Sequence, residues 1–231
     1  MAKQEKTAIF TKSLVDQVYE HLLNRIINNE LYYGDNLNIK DISEKLGIST
    51  MPVREAIKRL EYDRIVEIKP RSSCHIRTPD ATEIAQIYEV REGLEKMAIN
   101  LFLSNYDASL LKTLHKITQD MESVNSITSD AARTRKAMEL DQDFHAELCR
   151  LSGNDYIIHY HRQLCLHLNM AAVHAKSYAS LKEEYFHSHS EILKCLESRS
   201  TDAVQKLDTH FNNVWAFLNR EDPKKAAQTV D

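Results

Sequence analysis

Residues 38–61 read Asn38-Ile-Lys-Asp-Ile-Ser-Glu-Lys-Leu-Gly47-Ile-Ser-Thr-Met-Pro52-Val-Arg-Glu-Ala-Ile-Lys-Arg-Leu-Glu61. The spacing predicts a short helix at about Ile39–Leu46, closed by Gly47, since glycine takes up the left-handed conformation that ends helices. The run Ile48-Ser-Thr-Met-Pro52 then supplies a hydroxyl cap and a first-turn proline for a second helix, Val53 to Asp63. Two helices around a glycine turn make a helix-turn-helix.

Upstream, Leu14, Val15, Val18, Leu22, Ile26 and Ile27 recur at helical spacing from Ser13 to Asn29. Downstream the period becomes two: Ile65-Val-Glu-Ile-Lys69 and Cys74-His-Ile-Arg77 flank Pro70-Arg-Ser-Ser73 as a β-hairpin. A helix-turn-helix followed by a hairpin is a winged helix. Thr78-Pro79-Asp80 is the clearest break, and everything beyond it reads as helix, at roughly 80–104, 107–126, 130–151, 154–178, 181–198 and 200–219. The expected organisation is an N-terminal arm (1–12), a winged helix (13–79), an all-α bundle (80–221) and a polar tail (222–231).

Composition supports a mostly α protein. Four glycines and four prolines in 231 residues compare with about 16 and 12 at ordinary usage. Folds that need glycine for phosphate loops or many tight turns are disfavoured. The net charge of −4 gives no global nucleic-acid signature. It is uneven, however: residues 1–79 carry 13 Lys+Arg against 11 Asp+Glu, and residues 80–231 carry 17 against 23. The four cysteines lie far apart with no CxxC pair, which argues against a disulfide framework or a thiolate zinc site. With neither a membrane span nor a signal peptide in the pattern, the expected location is the cytoplasm.

The "Leu-Gly-Ile-Ser" turn, the "Pro-Val-Arg-Glu-Ala" start of the second helix and its "Arg-Leu-Glu" end closely resemble the recognition motif of GntR-type winged-helix transcriptional regulators. A double-stranded DNA operator follows as the expected partner. Recognition helices dock their N-terminal residues on base edges, which puts Ser49, Thr50 and Arg54 in reach of the major groove. Lys40, Lys45, Lys58, Arg59 and Arg71 read as phosphate contacts. Many members of the family carry arginine where this chain has Lys40 and Thr50, and a wing glycine where it has Ser72-Ser73. These departures bear on operator preference more than on fold.

In the helical half, polar residues fall on stripes that advance by three and four. The first helix gives Ile84, Ile87, Arg91, Leu94, Ala98 and Leu101; the third gives Met138, Asp141, His145 and Leu148. The fifth gives Tyr185, His189, Ile192 and Leu196, and the sixth gives Ala203, Leu207, His210, Val214 and Phe217. A buried polar residue demands a partner. Asp141 and His145 sit one turn apart on one face, as two metal ligands do, and His189 and His210 complete an Asp-plus-three-His set. Such donors suit a divalent metal, with zinc first and nickel, manganese or iron beside it. Each histidine also has a plain reading as a satisfied core residue.

"Leu-Asp-Gln-Asp-Phe-His-Ala-Glu-Leu", "Gly153-Asn154", "His-Ser-Glu-Ile-Leu" and "Asp-Thr-His-Phe" resemble the FCD domain, the helical effector domain of the FadR branch of GntR regulators. In many members an aspartate and three histidines bind a divalent metal at the floor of a ligand pocket. The resemblance implies the same for Asp141, His145, His189 and His210, with His187 as an alternative to His189. Arg91 is then either a clamp for a small carboxylate effector or the partner of an acid such as Glu95 or Asp141. His167 and His174 share a stripe that lines the same pocket or faces elsewhere. The expected protein is a homodimeric regulator of a palindromic operator, switched by a small organic acid. A purely structural metal without an organic effector is the alternative, and a metal-dependent enzyme lacks a recognisable general base.

Overall fold

The computed structural model describes residues 12–27, 30–32, 34–69, 73–77, 79–172 and 183–220, with backbone alone for 27, 73, 81, 131, 166–172, 183–186 and 214–220. The chain divides into two compact units, Met1–Thr78 and Pro79–Asp231.

The first unit carries α1 (Leu14–Ile27), α2 (Ile39–Leu46), α3 (Thr50–Tyr62) and the strands β1 (Val66–Lys69) and β2 (Ser73–Ile76). Its core is the apolar face of α1 (Val18, Leu22, Ile26) against that of α3 (Val53, Ala56, Ile57, Leu60), with Ile42, Ile65 and Ile76 closing the sides. The strands pair antiparallel in the register Val66↔Ile76 to Lys69↔Ser73. One strand-like segment has no counterpart in the sequence reading. Residues 34–37 run along β2, with Gly34 N–H donating to Ile76 C=O and Leu37 N–H to Cys74 C=O. Four residues with a glycine among them are too short to show a period of two.

Local chemistry sets the helix ends. The Asn38 side chain accepts from the amides of Lys40 and Asp41 and starts α2. Gly47, at φ 65, ends it while its N–H donates to Glu44 C=O. Helix α3 begins at Thr50, ahead of the expected Val53, and the Ser49 side chain makes no capping bond although its backbone is extended. Pro52 still falls in the first turn, where no amide is missed. Gly47→Ala is expected to destabilise this unit by about 1 kcal/mol, because a Cβ disfavours the left-handed conformation. Faster hydrogen exchange at the buried amides of α2 and α3 would read it.

The second unit contains α4 (Ala81–Ser104), α5 (Lys112–Ser123), α6 (Asp130–Arg150), α7 (Asp155–Ala172), α8 (Glu183–Glu197) and α9 (Asp202–Arg220). Short 3₁₀ turns at Ala108–Leu111 and Val124–Ser126 flank α5, where the sequence reads as one helix over 107–126. Its core joins α4, α5, α6, α8 and α9 through Ile99, Phe102, Leu114, Phe144, Leu148, Ile192, Leu207 and Phe211. Ala98, Cys149 and Ile157 form a second, smaller cluster that fastens α7 to α4 and α6. Among the described residues, no helix is long and apolar enough to cross a membrane.

Candidate functional site

In the first unit, burying Val53, Ala56, Ile57 and Leu60 turns the opposite face of α3 outward. Thr50, Met51, Arg54 and Lys58 are exposed there, with Ser49 just before them. Lys40 and Lys45 on α2 are exposed as well. Arg59 is drawn aside: its guanidinium lies 2.7 Å from Asp16 and over the Tyr19 ring. Lys58 pairs with Glu55 at 2.9 Å. Exposed pairs of this kind contribute about 0–1 kcal/mol, so either cation is readily exchanged onto a phosphate. Arg71 lies outside the described residues.

In the second unit, the stripes of α6, α8 and α9 converge. Asp141, His145, His189 and His210 are all buried, and one ligand atom of each lies within 4.8 Å of the other three. His145 Nε2 is 3.1 Å from His210 Nε2 and 3.4 Å from Asp141 Oδ1. His189 Nε2 is 3.1 Å from the same oxygen. Three imidazoles from three helices thus turn nitrogens toward one carboxylate. Phe144 and Phe211 pack edge-on to these rings and keep the surroundings apolar.

The electrostatics follow from that burial. Burial alone would raise the Asp141 carboxyl, but His145 and His189 outweigh it and hold Asp141 well below the usual carboxylate range. Burial, with His189 and His145 alongside, holds His210 well below the usual imidazole range. His145 is shifted upward: burial and Arg91 oppose its charge, and Glu95 and Asp141 prevail. A neutral His210 nitrogen facing the His145 nitrogen at 3.1 Å, with an ionised carboxylate between neighbouring imidazoles, is a donor set that a single divalent cation fits.

Glu95, on α4 and wholly buried, stands behind the cluster. Its Oε2 lies 2.6 Å from His145 Nδ1, and its Oε1 accepts from Arg91 Nε at 2.7 Å and meets His161 Nε2 at 3.0 Å. Arg91 thus takes the Glu95 partnership through one edge only. Its Nη2 is buried with no hydrogen-bond partner among the described residues, a deficit of about 1–3 kcal/mol unless something accepts from it. Tyr88 and Phe211 flank the guanidinium.

His187, at 70% side-chain exposure, points away and pairs loosely with Glu191. His174 and the side chain of His167 lie outside the described residues. The sequence reading missed His161 and Ser188, whose Oγ is 2.8 Å from His210 Nδ1. The signal for His161 was present, since Ile157, His161 and Leu164 step by four and three along α7.

A helix-turn-helix unit followed in the chain by an all-helical unit with a buried carboxylate–imidazole cluster defines a class: a two-domain DNA-binding protein. Comparison with known proteins agrees. The bacterial regulatory proteins of the gntR family match residues 14–76, and the FCD domain matches residues 86–213. The chain belongs to the GntR family of regulators that carry an FCD domain. It is 26% identical over 209 residues to the HTH-type transcriptional regulator YdhC of Bacillus subtilis, covering 85% of this chain and 87% of that one. It is 25% identical over 225 residues to the Uxu operon regulator of Haemophilus influenzae, covering 88% and 82%. Its fold is that of a GntR transcriptional regulator from Rhodococcus sp. RHA1, with a TM-score of 0.76, 22% identity, and 90% and 98% of the two chains covered. The protein is a DNA-binding transcriptional regulator, and its relatives are regulators rather than enzymes.

Proposed function

We propose that this regulator holds a divalent metal on Asp141, His145, His189 and His210, and that a small organic acid bound between this centre and Arg91 sets its affinity for its operator. The observation that carries the reading is the four-ligand cluster beside a buried guanidinium nitrogen that lacks a partner. Zinc heads the suitable ions, and nickel, manganese and iron(II) share the donor preference. A metal held there supplies a Lewis-acidic position for one carboxylate oxygen, and Arg91 offers the directional N–H donors that match a carboxylate's geometry.

On the DNA side, Ser49, Thr50 and Arg54 contact base edges, and Lys40 and Arg71 contact phosphates. Two copies bind a palindromic operator in the cytoplasm, because one winged helix reads only a half-site and half-sites lie about one helical turn apart. An exposed apolar surface on the helical unit supports pairing of two copies: Val90 and Met97 flank Gly93 on α4, with Tyr156 and Tyr160 on the neighbouring α7. Among the described residues, and apart from the adjoining backbone of its own helix, nothing lies within 4 Å of where a Gly93 side chain would start. A mid-helix glycine, which costs about 1 kcal/mol against alanine, therefore has no packing reason inside the protomer.

Switching then follows from linkage. An acid that binds one helical arrangement better than another shifts the spacing of the two DNA readers by its differential affinity. Thermal unfolding of zinc-loaded protein, screened against small carboxylates, tests the effector site. At least one acid is expected to raise the midpoint, and Arg91→Ala to abolish that rise while zinc stays bound. Stabilisation by no acid would leave the metal a structural role alone.

A further inference from the structure

We propose that Glu95 is the positioning residue of this centre: it fixes His145 with Nε2 turned to the other three ligands, and through the same carboxylate it couples metal loading to anion binding at Arg91. The proposal rests on reading the cluster as a metal centre. Glu95 is fully buried and pairs with the Arg91 guanidinium at 2.7 Å, and a carboxylate so paired accepts hydrogen bonds and donates none. Each of its partners must therefore bring a hydrogen: Arg91 Nε at 2.7 Å, His161 Nε2 at 3.0 Å and His145 Nδ1 at 2.6 Å. They come from α4, α7 and α6, and Glu95 ties the three helices at one point.

The consequence for His145 is a fixed tautomer. With the proton on Nδ1, the neutral ring carries its lone pair on Nε2, the atom 3.1 Å from His210 Nε2 and 3.4 Å from Asp141 Oδ1. The opposite tautomer would put an N–H into the cluster and a lone pair against a carboxylate. A carboxylate behind a ligating imidazole orients the ring and raises its basicity, and losing such a partner weakens metal binding about 10–100-fold.

The consequence for Arg91 comes from sharing one charge. When Nε2 is engaged by a cation, the His145 Nδ1–H becomes a stronger donor and takes a larger share of the Glu95 charge. Arg91 is then less neutralised and holds an anion on its free edge more tightly. By reciprocity, an anion on Arg91 strengthens metal binding by the same factor. A structural ion pair between Glu95 and Arg91 would produce neither effect.

The test measures zinc affinity of the full-length protein by chelator competition, with and without acetate as the probe anion. Wild type, Glu95→Gln, Arg91→Ala and His145→Ala are compared. Glu95→Gln is expected to bind zinc about 10–100-fold more weakly, and acetate is expected to tighten zinc binding in wild type but in neither Glu95→Gln nor Arg91→Ala. Zinc affinity equal to wild type in Glu95→Gln, or an acetate effect that survives in it, overturns the proposal. If His145→Ala also binds as wild type does, the metal-centre reading itself has failed, which is a separate result. Should Glu95→Gln not fold, nitrogen-15 spectra of histidine-labelled wild type decide. A proton on His145 Nδ1 supports the assignment, and one on Nε2 of the neutral ring overturns it.

Discussion

Replacing His145 by alanine is expected to leave the helical unit folded but unable to hold the proposed metal. The substitution removes one of four ligands and the link between the cluster and Glu95, so the loss of zinc affinity should exceed the about 10–100-fold that accompanies loss of an outer hydrogen bond alone. The fold should persist because Glu95 keeps Arg91 and His161 as partners, so no buried charge is left unpaired. Metal per chain after purification, measured by mass spectrometry, checks the first part, and circular dichroism checks the second. The pH dependence follows from the same residue. A ligating histidine must be neutral, and Glu95 and Asp141 shift His145 upward so that it keeps its proton to higher pH. Zinc affinity is therefore expected to fall as pH is lowered, by up to about tenfold per unit for each proton displaced.

Arg54→Ala is expected to have the second large effect, on DNA. A bidentate arginine–guanine contact contributes about 1–3 kcal/mol of discrimination. In the proposed symmetric dimer it would be lost in both half-sites, giving about 2–6 kcal/mol, or roughly 30-fold to more than 10⁴-fold in specific affinity. Non-specific binding, set by phosphate contacts, should change far less. Lys40→Ala should show the reverse pattern, a modest loss on all sequences and a shallower salt dependence. Binding isotherms on specific and random duplexes across a salt series separate the two cases. Equal losses on both duplexes for Arg54→Ala would remove it from base recognition.

The parts of the fold set by periodicity and end signals were legible in the sequence. Gly47 ends α2 and Pro52 falls in the first turn of α3, and Asp80, whose side chain accepts from the Glu83 amide, opens α4. The convergence of Asp141, His145, His189 and His210 was also legible, because each polar residue on an apolar stripe needs a buried partner and four such residues can supply one another. What one-dimensional reading could not deliver was the third dimension of the cluster. Glu95 stands four residues after Arg91 and reads as its helical ion-pair partner, yet its second oxygen reaches 50 residues along the chain to His145. His161 lies on the inner stripe of α7 with Ile157 and Leu164, but its partner Glu95 lies on α4, so the spacing marks it as inward-facing without saying what it meets. The strand-like segment at 34–37 escaped notice because its pairing is with β2 rather than with its sequence neighbours.

The most direct measurement is the affinity of the zinc-loaded protein for an operator selected from random duplex DNA, taken with and without an acid that stabilises it in thermal unfolding. The predicted result is a shift in affinity of about 5–150-fold, the range of ordinary coupling between sites, that disappears in Arg91→Ala and when zinc is stripped. An operator affinity that stays the same with acid present or absent, in protein that demonstrably holds both zinc and the acid, would contradict it.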